Sequence, residues 1–258
     1  MEGLLFVPCK KNKLDKILEL DEECFIFDLE DSIREEHKGN ALNELKKFLD
    51  ENDDFKKNIV RVNKGRWNSE VNVLYNCGIR KFMIPKAEFE DEINELSLMY
   101  SDIEIFLLVE TPKGFINLEH LIKNNNVYAV AFGAEDFCTS IQMTNKDELL
   151  LPIKQKIVII SKAYGKKVYD TITLEINDLE KITQQINFSK SLGFDGKMLI
   201  HPNQLYVINR LNEDIDFDKY KIIIDEFDKS SEGVLVYDGK VYEKPHIEYM
   251  RRCINENN

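Results

Sequence analysis

The sequence predicts a closed (β/α)8 barrel followed by a short C-terminal helical extension. Three observations lead to this fold class: short apolar runs recur along the chain, segments with helical spacing separate them, and eight such units fit into about 200 residues. The runs are apolar at consecutive positions, which is typical of parallel strands buried on both faces. An open, doubly wound sheet is the alternative fold, but no glycine-rich dinucleotide-binding turn follows the first run.

Eight apolar runs predict the barrel strands. Their starts lie between 21 and 39 residues apart, which is enough chain for a strand, a loop, a helix and a return loop. They occupy residues 4–8, 25–28, 58–62, 81–85, 104–109, 127–133, 166–170 and 196–201. Between the runs, segments such as residues 38–49 and 149–163 have the apolar spacing of helices that pack one face on a sheet.

The chain has 258 residues, which is enough for one large domain with its own core. We expect residues 1–211 to form the barrel and residues 212–258 to form a C-terminal extension too short to be a separate domain. The extension contains a helix-like stretch at 220–227, a loop with the sequence SSEGVLVYDGK and a last helix from about His246. It is expected to pack on the barrel or on a neighbouring subunit.

Composition excludes several classes of partner. The formal net charge of −12 would repel a phosphate backbone, so no nucleic-acid partner is expected. The five cysteines are odd in number and contain no CxxC pair, which argues against a disulfide framework or a zinc site and favours a reducing cytoplasm. No apolar run approaches the roughly 20 residues of a membrane helix, and the start MEGLL lacks the basic flank of a signal peptide. We therefore expect a soluble, unprocessed, cytoplasmic protein.

Charged and polar side chains follow the predicted strands at their carboxyl ends, where barrel enzymes carry their active sites. Charged residues are also common at strand ends simply because those ends are exposed to solvent. The amino ends of the predicted strands, however, show no similar concentration of charged residues. The strand exits carry Asp28, Glu30, Asp31, Arg61, Asn63, Lys86, Glu88, Glu110, Glu135, Asp136, Asp170 and His201.

Three of these carboxylates, those of Asp28, Glu30 and Asp31, follow one buried run almost side by side. Carboxylates gathered in a partly dry barrel mouth repel one another, but a bound cation makes the arrangement tolerable. Oxygen ligands without a cluster of His or Cys favour Mg²⁺ over zinc, and Mg²⁺ commonly leaves positions open to water and substrate. The sequence therefore predicts a Mg²⁺ ion that binds a substrate.

Eight short motifs make the chain resemble the citrate lyase β subunit and malyl-CoA lyase family, within the HpcH/HpaI aldolase group. They follow the family's order from residue 4 to about residue 250 and are LLFVP, IFDLEDSI, VRVN, MIPKAE, LVETPKG, FGAEDF, GFDGKMLIHPNQ and DGKVYEKP. The resemblance implies a Mg²⁺-dependent (β/α)8 barrel that cleaves or forms a carbon–carbon bond. The implied reactants are an acyl-CoA enolate and a small 2-oxo acid.

The same resemblance implies roles for individual residues. Glu110 of the ET motif and Asp136 of the GAED motif match the direct metal ligands. Arg61 of VRVN matches the residue that binds the substrate carboxylate or oxygen, and Asp28 and Glu30 of FDLED match groups that hold metal-bound waters.

Physical chemistry is consistent with these roles. A 2-oxo acid offers a carboxylate and an adjacent carbonyl that can chelate Mg²⁺ while Arg61 pairs with the carboxylate. Backbone amides of the turn formed by Gly133, Ala134 and Glu135 could add hydrogen bonds to that carboxylate. Cys138 and His201 are better explained as packing and structural residues than as a nucleophile and a catalytic group.

The chain departs from the family at two places that bear on function. Its start has Glu2, Gly3 and Cys9, where many relatives have an Arg-Ser pair before the first strand and a glycine after its proline. In the tail, Glu243 replaces the family's aspartate, which is taken to be an acid–base group supplied across a subunit boundary. Glutamate keeps the carboxylate but lengthens the side chain, so Glu243 is either a working acid–base group or a sign of changed chemistry. The cross-subunit tail implies a homotrimer.

Three functions are consistent with the sequence. The leading hypothesis is a Mg²⁺-dependent lyase or synthase that acts on an acyl-CoA, or another acyl thioester, and a small 2-oxo acid. An aldolase that uses a free 2-oxo acid without coenzyme A is the runner-up, because of the altered start and the replaced tail aspartate. The third is a non-catalytic barrel that serves as a subunit of a larger biosynthetic assembly.

Overall fold

A computed structural model describes residues 1–20, 24–213, 215–230 and 232–255. The contacts within the chain divide it into two compact units, residues 1–209 and 210–258. Within the described residues, no helix is both long and apolar enough to cross a bilayer.

The first unit confirms the predicted closed barrel. Its eight strands pair in sequence order, all neighbours are parallel, and the last strand pairs with the first. The strands are β1 (Glu2–Pro8), β2 (Phe25–Asp28), β3 (Ile59–Arg61), β4 (Lys81–Ile84), β5 (Glu104–Val109), β6 (Val127–Phe132), β7 (Lys167–Asp170) and β8 (Gly196–Leu199). Each predicted run therefore overlaps one strand, with ends that differ by a few residues at most.

Helices follow the strands, as the helical spacing predicts. They are α1 (Lys11–Ile17), α2 (Lys38–Glu51), α3 (Trp67–Asn76), α4 (Glu90–Met99), α5 (Pro112–Leu121), α6 (Ala134–Ser140), α7 (Asp147–Ala163), α8 (Leu179–Ser191) and α9 (Pro202–Glu213). The start of α5 shows how local sequence sets a boundary: the Thr111 hydroxyl accepts the Gly114 N–H at 3.0 Å, and Pro112 occupies the first helical turn, where its missing N–H costs nothing.

The barrel interior is a packed apolar core. Its buried members are Leu4, Ile26, Ile59, Met83, Phe106, Leu108, Ala129, Ala131, Tyr169 and Met198. Gly196 belongs to this packing because a Cβ there would lie 2.5 Å from the ring of Tyr169, so only glycine fits. Since the core fills the barrel, a ligand can bind only above it, at the ends of the strands.

The second unit contains the two helices that the sequence predicts, but a β-hairpin lies between them. The unit contains α10 (Phe217–Lys229), two antiparallel strands β9 (Val234–Tyr237) and β10 (Lys240–Glu243), and α11 (Lys244–Asn255). The prediction of a loop over SSEGVLVYDGK is therefore wrong for Val234–Tyr237 and Lys240, which are strand residues, while Ser231 within it lies outside the described residues. Asp238 and Gly239 both have positive φ, 51° and 71°, as a tight hairpin turn requires. The dipeptide DG between alternating apolar residues was the signal for this hairpin.

Ile223, Ile247 and Met250 form the small core of the second unit. The predicted stretch 220–227 lies within α10, and the predicted last helix begins two residues before His246. The packing of residues 212–258 on the barrel or on a neighbouring subunit stays a prediction.

Candidate active site

Side-chain alternation along the strands brings a set of charged residues together at the carboxyl end of the barrel. Asp28, Arg61 and Glu110 each lie two positions after a residue of the interior core, so they continue the inward-facing row above it. They line a cavity of about 390 Å³. We call the following residues the mouth cluster: Asp28, Glu30, Asp31, Arg61, Lys86, Glu110 and Asp136.

Asp28 and Arg61 form a buried, two-pronged ion pair. Arg61 Nε donates to Asp28 Oδ1 at 2.7 Å, and Nη2 donates to Oδ2 at 2.8 Å. Asp28 also accepts the backbone N–H groups of Glu30 and Ser32 at 3.0 and 3.1 Å. Burial alone would raise the pKa of Asp28, but the charge and hydrogen bonds of Arg61 outweigh it and lower that pKa. Asp28 therefore fixes the guanidinium in place.

The third nitrogen of the guanidinium also contacts carboxylates. Arg61 Nη1 lies 2.9 Å from Asp31 Oδ2 and 3.3 Å from Glu30 Oε2. The Asp31 side chain is 55% exposed, whereas that of Glu30 is buried. The sequence predicts that Arg61 binds substrate. The structure places Arg61 in the mouth, with Asp31 at Nη1, the nitrogen that Asp28 does not contact.

Glu110 follows β5 and is almost completely buried. Its Oε1 accepts the backbone N–H of Lys86 at 2.8 Å. Burial, followed by the charge of Glu30, raises the pKa of Glu110 to about 8. A Cβ at Gly133 would lie 2.8 Å from Glu110 Oε2, so the glycine of the FGAED segment leaves the space that this carboxylate occupies.

Asp136 lies in the first turn of α6, where its side chain is 41% exposed. The Lys86 ammonium lies 3.0 Å from Asp136 Oδ2 and 3.6 Å from Glu30 Oε1. Burial raises the pKa of Glu30 to about 7, because the charge of Arg61 compensates only part of the desolvation. Both predicted metal ligands, Glu110 and Asp136, therefore line one cavity and contact one lysine.

These residues fit a magnesium ion. The mouth cluster has five carboxylates and only two cations, Arg61 and Lys86. Burial raises the pKa values of Glu30 and Glu110, so a further cation is needed to favour the charged forms of these two carboxyl groups near neutral pH. Among the described residues, no group of three or more His, Cys, Asp or Glu is arranged to hold a metal by itself. Mg²⁺ needs only one or two protein carboxylates when substrate and water supply the other ligands, and Glu110 and Asp136 meet that requirement.

In the turn before α6, two backbone amides already donate hydrogen bonds to other residues of the barrel unit. The Gly133 N–H donates to the Val109 carbonyl at 2.9 Å, and the Ala134 N–H donates to Thr171 Oγ1 at 3.1 Å. Gly133, Ala134 and Glu135 all line the cavity, and the Glu135 side chain accepts a hydrogen bond from Asn145. Gly133 and Ala134 thus form part of the cavity wall with their amides already bonded.

A second buried charged group lies beside the mouth, and sequence reasoning missed it. Asp170 is completely buried, and its Oδ2 accepts hydrogen bonds from Ser189 Oγ at 2.5 Å, Lys154 Nζ at 3.1 Å and Lys197 Nζ at 3.4 Å. Lys154 also bonds to Asp147 at 2.8 Å. We call these five residues the β7 cluster.

Alternation explains why Asp170 is absent from the mouth cluster. Tyr169 and Met198 point into the barrel, so their neighbours Asp170 and Lys197 point outward, toward the helices. The sequence predicts Asp170 only as one of the strand-exit residues. A lysine inside an apolar strand run, as in GKML, was the signal for its partner.

The remaining candidates have local roles in the structure. Burial, followed by the charge of Glu135, raises the pKa of the Cys138 thiol, which makes it a poor nucleophile. His201 Nδ1 accepts the Asn203 N–H at 3.2 Å at the start of α9. Glu243 ends β10 in the second unit, where its side chain is exposed and its backbone N–H donates to His246 Nδ1 at 3.0 Å.

Comparisons with known proteins identify relatives of the chain. The sequence model of the family described as HpcH/HpaI aldolase/citrate lyase matches residues 3–202. A mitochondrial citramalyl-CoA lyase from Mus musculus is 30% identical over 80% of this chain and 69% of its own length. A (3S)-malyl-CoA thioesterase from Cereibacter sphaeroides is 26% identical over 98% of this chain and 93% of its own length.

Solved structures share the fold. CitE from Mycobacterium tuberculosis, in complex with magnesium, acetoacetate and coenzyme A, superposes with a TM-score of 0.80 at 20% identity and covers 98% of this chain and 96% of its own. A citrate lyase from Burkholderia xenovorans LB400 superposes with a TM-score of 0.82 at 18% identity, covering 98% of this chain and 90% of its own.

Proposed function

The chain belongs to the HpcH/HpaI aldolase/citrate lyase family, and from that premise we propose that it is a Mg²⁺-dependent carbon–carbon lyase or synthase. Its proposed substrates are an acyl-CoA, or another acyl thioester, and a small 2-oxo acid. The observation that carries the proposal is the convergence of Glu110, Asp136 and Arg61 on one cavity at the carboxyl end of the barrel.

Glu110 and Asp136 are the residues that would hold the ion. When bound, Mg²⁺ supplies a Lewis acid that lowers the cost of negative charge on a substrate oxygen. Asp28 and Glu30 would hold waters bound to the ion, as the family resemblance implies, and Asp28 also positions Arg61. The relative in complex with magnesium and the oxygen-rich donor set of this chain support the same metal.

Arg61 is the proposed binding residue for the carboxylate of the oxo acid. Its contacts with Asp28 fix two guanidinium nitrogens, so the third can face an incoming anion without a change of rotamer. Asp31 now pairs with that nitrogen, and because its side chain is more than half exposed, a substrate carboxylate can take its place. The apolar wall of the cavity, which includes Phe6, Leu108 and Met198, suits the acyl portion of the second substrate.

In the cleavage direction, a base removes the proton of the substrate hydroxyl, the carbon–carbon bond breaks to release the 2-oxo acid, and the resulting thioester enolate takes up a proton at carbon. We propose Glu243 of a neighbouring subunit as the acid–base group, which requires a homo-oligomer, most simply a trimer. A cytoplasmic location stays a prediction from the cysteine content.

Isothermal titration calorimetry tests the metal and substrate assignment. Glyoxylate, oxaloacetate and pyruvate are titrated into the protein with Mg²⁺ or with EDTA, and we expect binding only with Mg²⁺. Asp136→Ala should abolish that binding, whereas Glu95→Ala, which removes an exposed carboxylate from α4, should not change it. Tight binding of an oxo acid in EDTA would refute the proposal.

The alternative of an aldolase without coenzyme A remains a second proposal, because Glu243 replaces the family's tail aspartate and the start of the chain is altered. Competition by coenzyme A against an acyl-CoA substrate distinguishes the two functions. If Glu243 is the acid–base group, Glu243→Gln should lose turnover while it keeps oxo-acid binding, and Glu243→Asp should retain part of the rate.

A further inference from the structure

Lys86 occupies an unusual position among the acidic residues of the mouth. Its ammonium contacts Asp136 at 3.0 Å and Glu30 at 3.6 Å, while its backbone N–H donates to Glu110 at 2.8 Å. One residue thus contacts three carboxylates, among them both of the side chains that would hold the ion.

The backbone of Lys86 is held firmly. It has φ of 47°, in the left-handed region that side-chain-bearing residues rarely adopt, and the Glu110 carboxylate accepts its N–H. The next residue, Ala87, donates its N–H to the Leu108 carbonyl at 3.4 Å. The Cα of Lys86 is therefore fixed beside the mouth, and only its side-chain torsions can move the ammonium.

The side chain has room to move. It is 31% exposed, and its four-carbon stem can turn the ammonium toward solvent without displacing the backbone. A divalent ion and an ammonium cannot both lie about 3 Å from the same carboxylate oxygen without strong repulsion. Binding of the ion at Asp136 therefore requires the ammonium to leave that oxygen.

We propose that Lys86 is an internal counter-cation that takes the place of the divalent ion in the metal-free protein and competes with it for Asp136. This inference rests on the proposed function, because it assumes that Glu110 and Asp136 hold Mg²⁺. When the metal is absent, Lys86 lowers the repulsion among the mouth carboxylates. It also weakens metal affinity, because its ammonium must leave Asp136 before the ion can bind there. It is a residue that governs metal occupancy rather than a catalytic residue.

The test is a titration of Mg²⁺, without substrate, into the full chain and its Lys86→Met variant at one pH and ionic strength. Met is unbranched like Lys, so the strain of the positive φ is the same in both proteins. We expect Lys86→Met to bind Mg²⁺ at least fivefold more tightly than wild type. Lys64→Met is the matched control, since Lys64 follows β3 at the same end of the barrel. Its ammonium contacts Glu88 and the backbone carbonyl of Lys86, both at 3.4 Å, but neither proposed ligand, so its Mg²⁺ affinity should match wild type within twofold.

Thermal unfolding gives a second readout that does not depend on activity. In EDTA, Lys86→Met should melt about 2–4 °C below wild type, because the mouth carboxylates lose a cation. Saturating Mg²⁺ should remove the difference. A variant that binds Mg²⁺ no more tightly than wild type, or a melting difference that Mg²⁺ leaves unchanged, overturns the role of Lys86.

Failure of this inference and failure of the proposed function give different results. If the wild-type protein binds no Mg²⁺, the proposed metal site is wrong. If wild type binds Mg²⁺ and loses it in Asp136→Ala, but Lys86→Met binds it no more tightly, only the competition by Lys86 is refuted.

Discussion

The mouth cluster and the β7 cluster both bury carboxylates at the carboxyl ends of barrel strands, yet they differ in how the charges are compensated. In the β7 cluster, two lysines face two aspartates, and the charges of Lys197 and Lys154 outweigh burial and lower the pKa of Asp170. In the mouth cluster, five carboxylates share Arg61 and Lys86, and burial raises the pKa values of Glu30 and Glu110 to about 7 and 8.

This difference separates a structural use of buried charge from a functional one. The β7 cluster, in which positive and negative charges are equal in number, needs no further ion. Its contacts link β7, β8, α7 and α8. An undercompensated acidic cluster next to a cavity costs stability until a cation binds. Burial alone would not distinguish the two, since Asp170 and Glu110 are both almost completely inaccessible.

The largest effect on stability should come from removing Arg61. Arg61→Met leaves Asp28 buried without its cation, so we expect a loss of about 3–5 kcal/mol in the free energy of unfolding, measured by urea denaturation. The matched control is Arg80→Met, which breaks a half-exposed pair with Asp102 and two hydrogen bonds to the Tyr75 and Ile79 carbonyls, and should cost no more than about 2 kcal/mol. If Arg61→Met does not fold, Arg61→Met/Asp28→Asn should recover part of the stability. A cost for Arg61→Met as small as that of Arg80→Met would contradict the buried pair.

A smaller loss is expected in the β7 cluster. Lys197→Met leaves Asp170 with Lys154 and Ser189 and removes the donor that reaches the Thr171 carbonyl at 2.6 Å. We expect the free energy of unfolding, measured by urea denaturation, to fall by about 1–3 kcal/mol. The control is Lys190→Met, at an exposed lysine of α8, which should leave that free energy almost unchanged.

The same variant tests whether the two clusters are independent. Lys197→Met should keep Mg²⁺ affinity within about twofold of wild type, although Thr171 also accepts the Ala134 N–H near Asp136. A loss of Mg²⁺ affinity comparable to that of Asp136→Ala would show that the two clusters act as one unit and that the β7 cluster is not purely structural.

The smallest effect is a stabilisation that depends on pH. The folded-state pKa of Glu30 is about 7, above its ordinary value of 4.5. Ionisation of Glu30 therefore lowers the free energy of unfolding, and this loss develops as the pH rises from 4.5 and is complete above pH 7. In EDTA, Glu30→Gln should therefore be more stable than wild type by about 1–2 kcal/mol at pH 8 and equal to it near pH 4.5. Comparison of the two proteins at pH 4.5 is the internal control, because Glu30 is uncharged there in the folded protein. A Glu30→Gln protein that is less stable than wild type at pH 8 would mean that the contact with Arg61 outweighs desolvation.

Much of the fold follows from local pattern. The eight apolar runs became the eight strands because a parallel strand in a barrel is buried on both sides wherever it lies. The hairpin of the second unit was missed because its strands are largely exposed and its signal, the DG turn, is short.

The sequence by itself determined the alternation of strands and helices and the presence of acidic residues where the strands end, because both depend on the character of consecutive residues. Only the tertiary structure decided which charges meet: Asp28 pairs with Arg61 across 33 positions of sequence, and Lys197 reaches Asp170 across 27. Whether a strand-end carboxylate enters the mouth or turns toward the helices depends on which face its strand presents to the interior. A one-residue shift in register reverses that face, so strand closure into a barrel, and not composition, placed Glu110 in the cavity and Asp170 outside it.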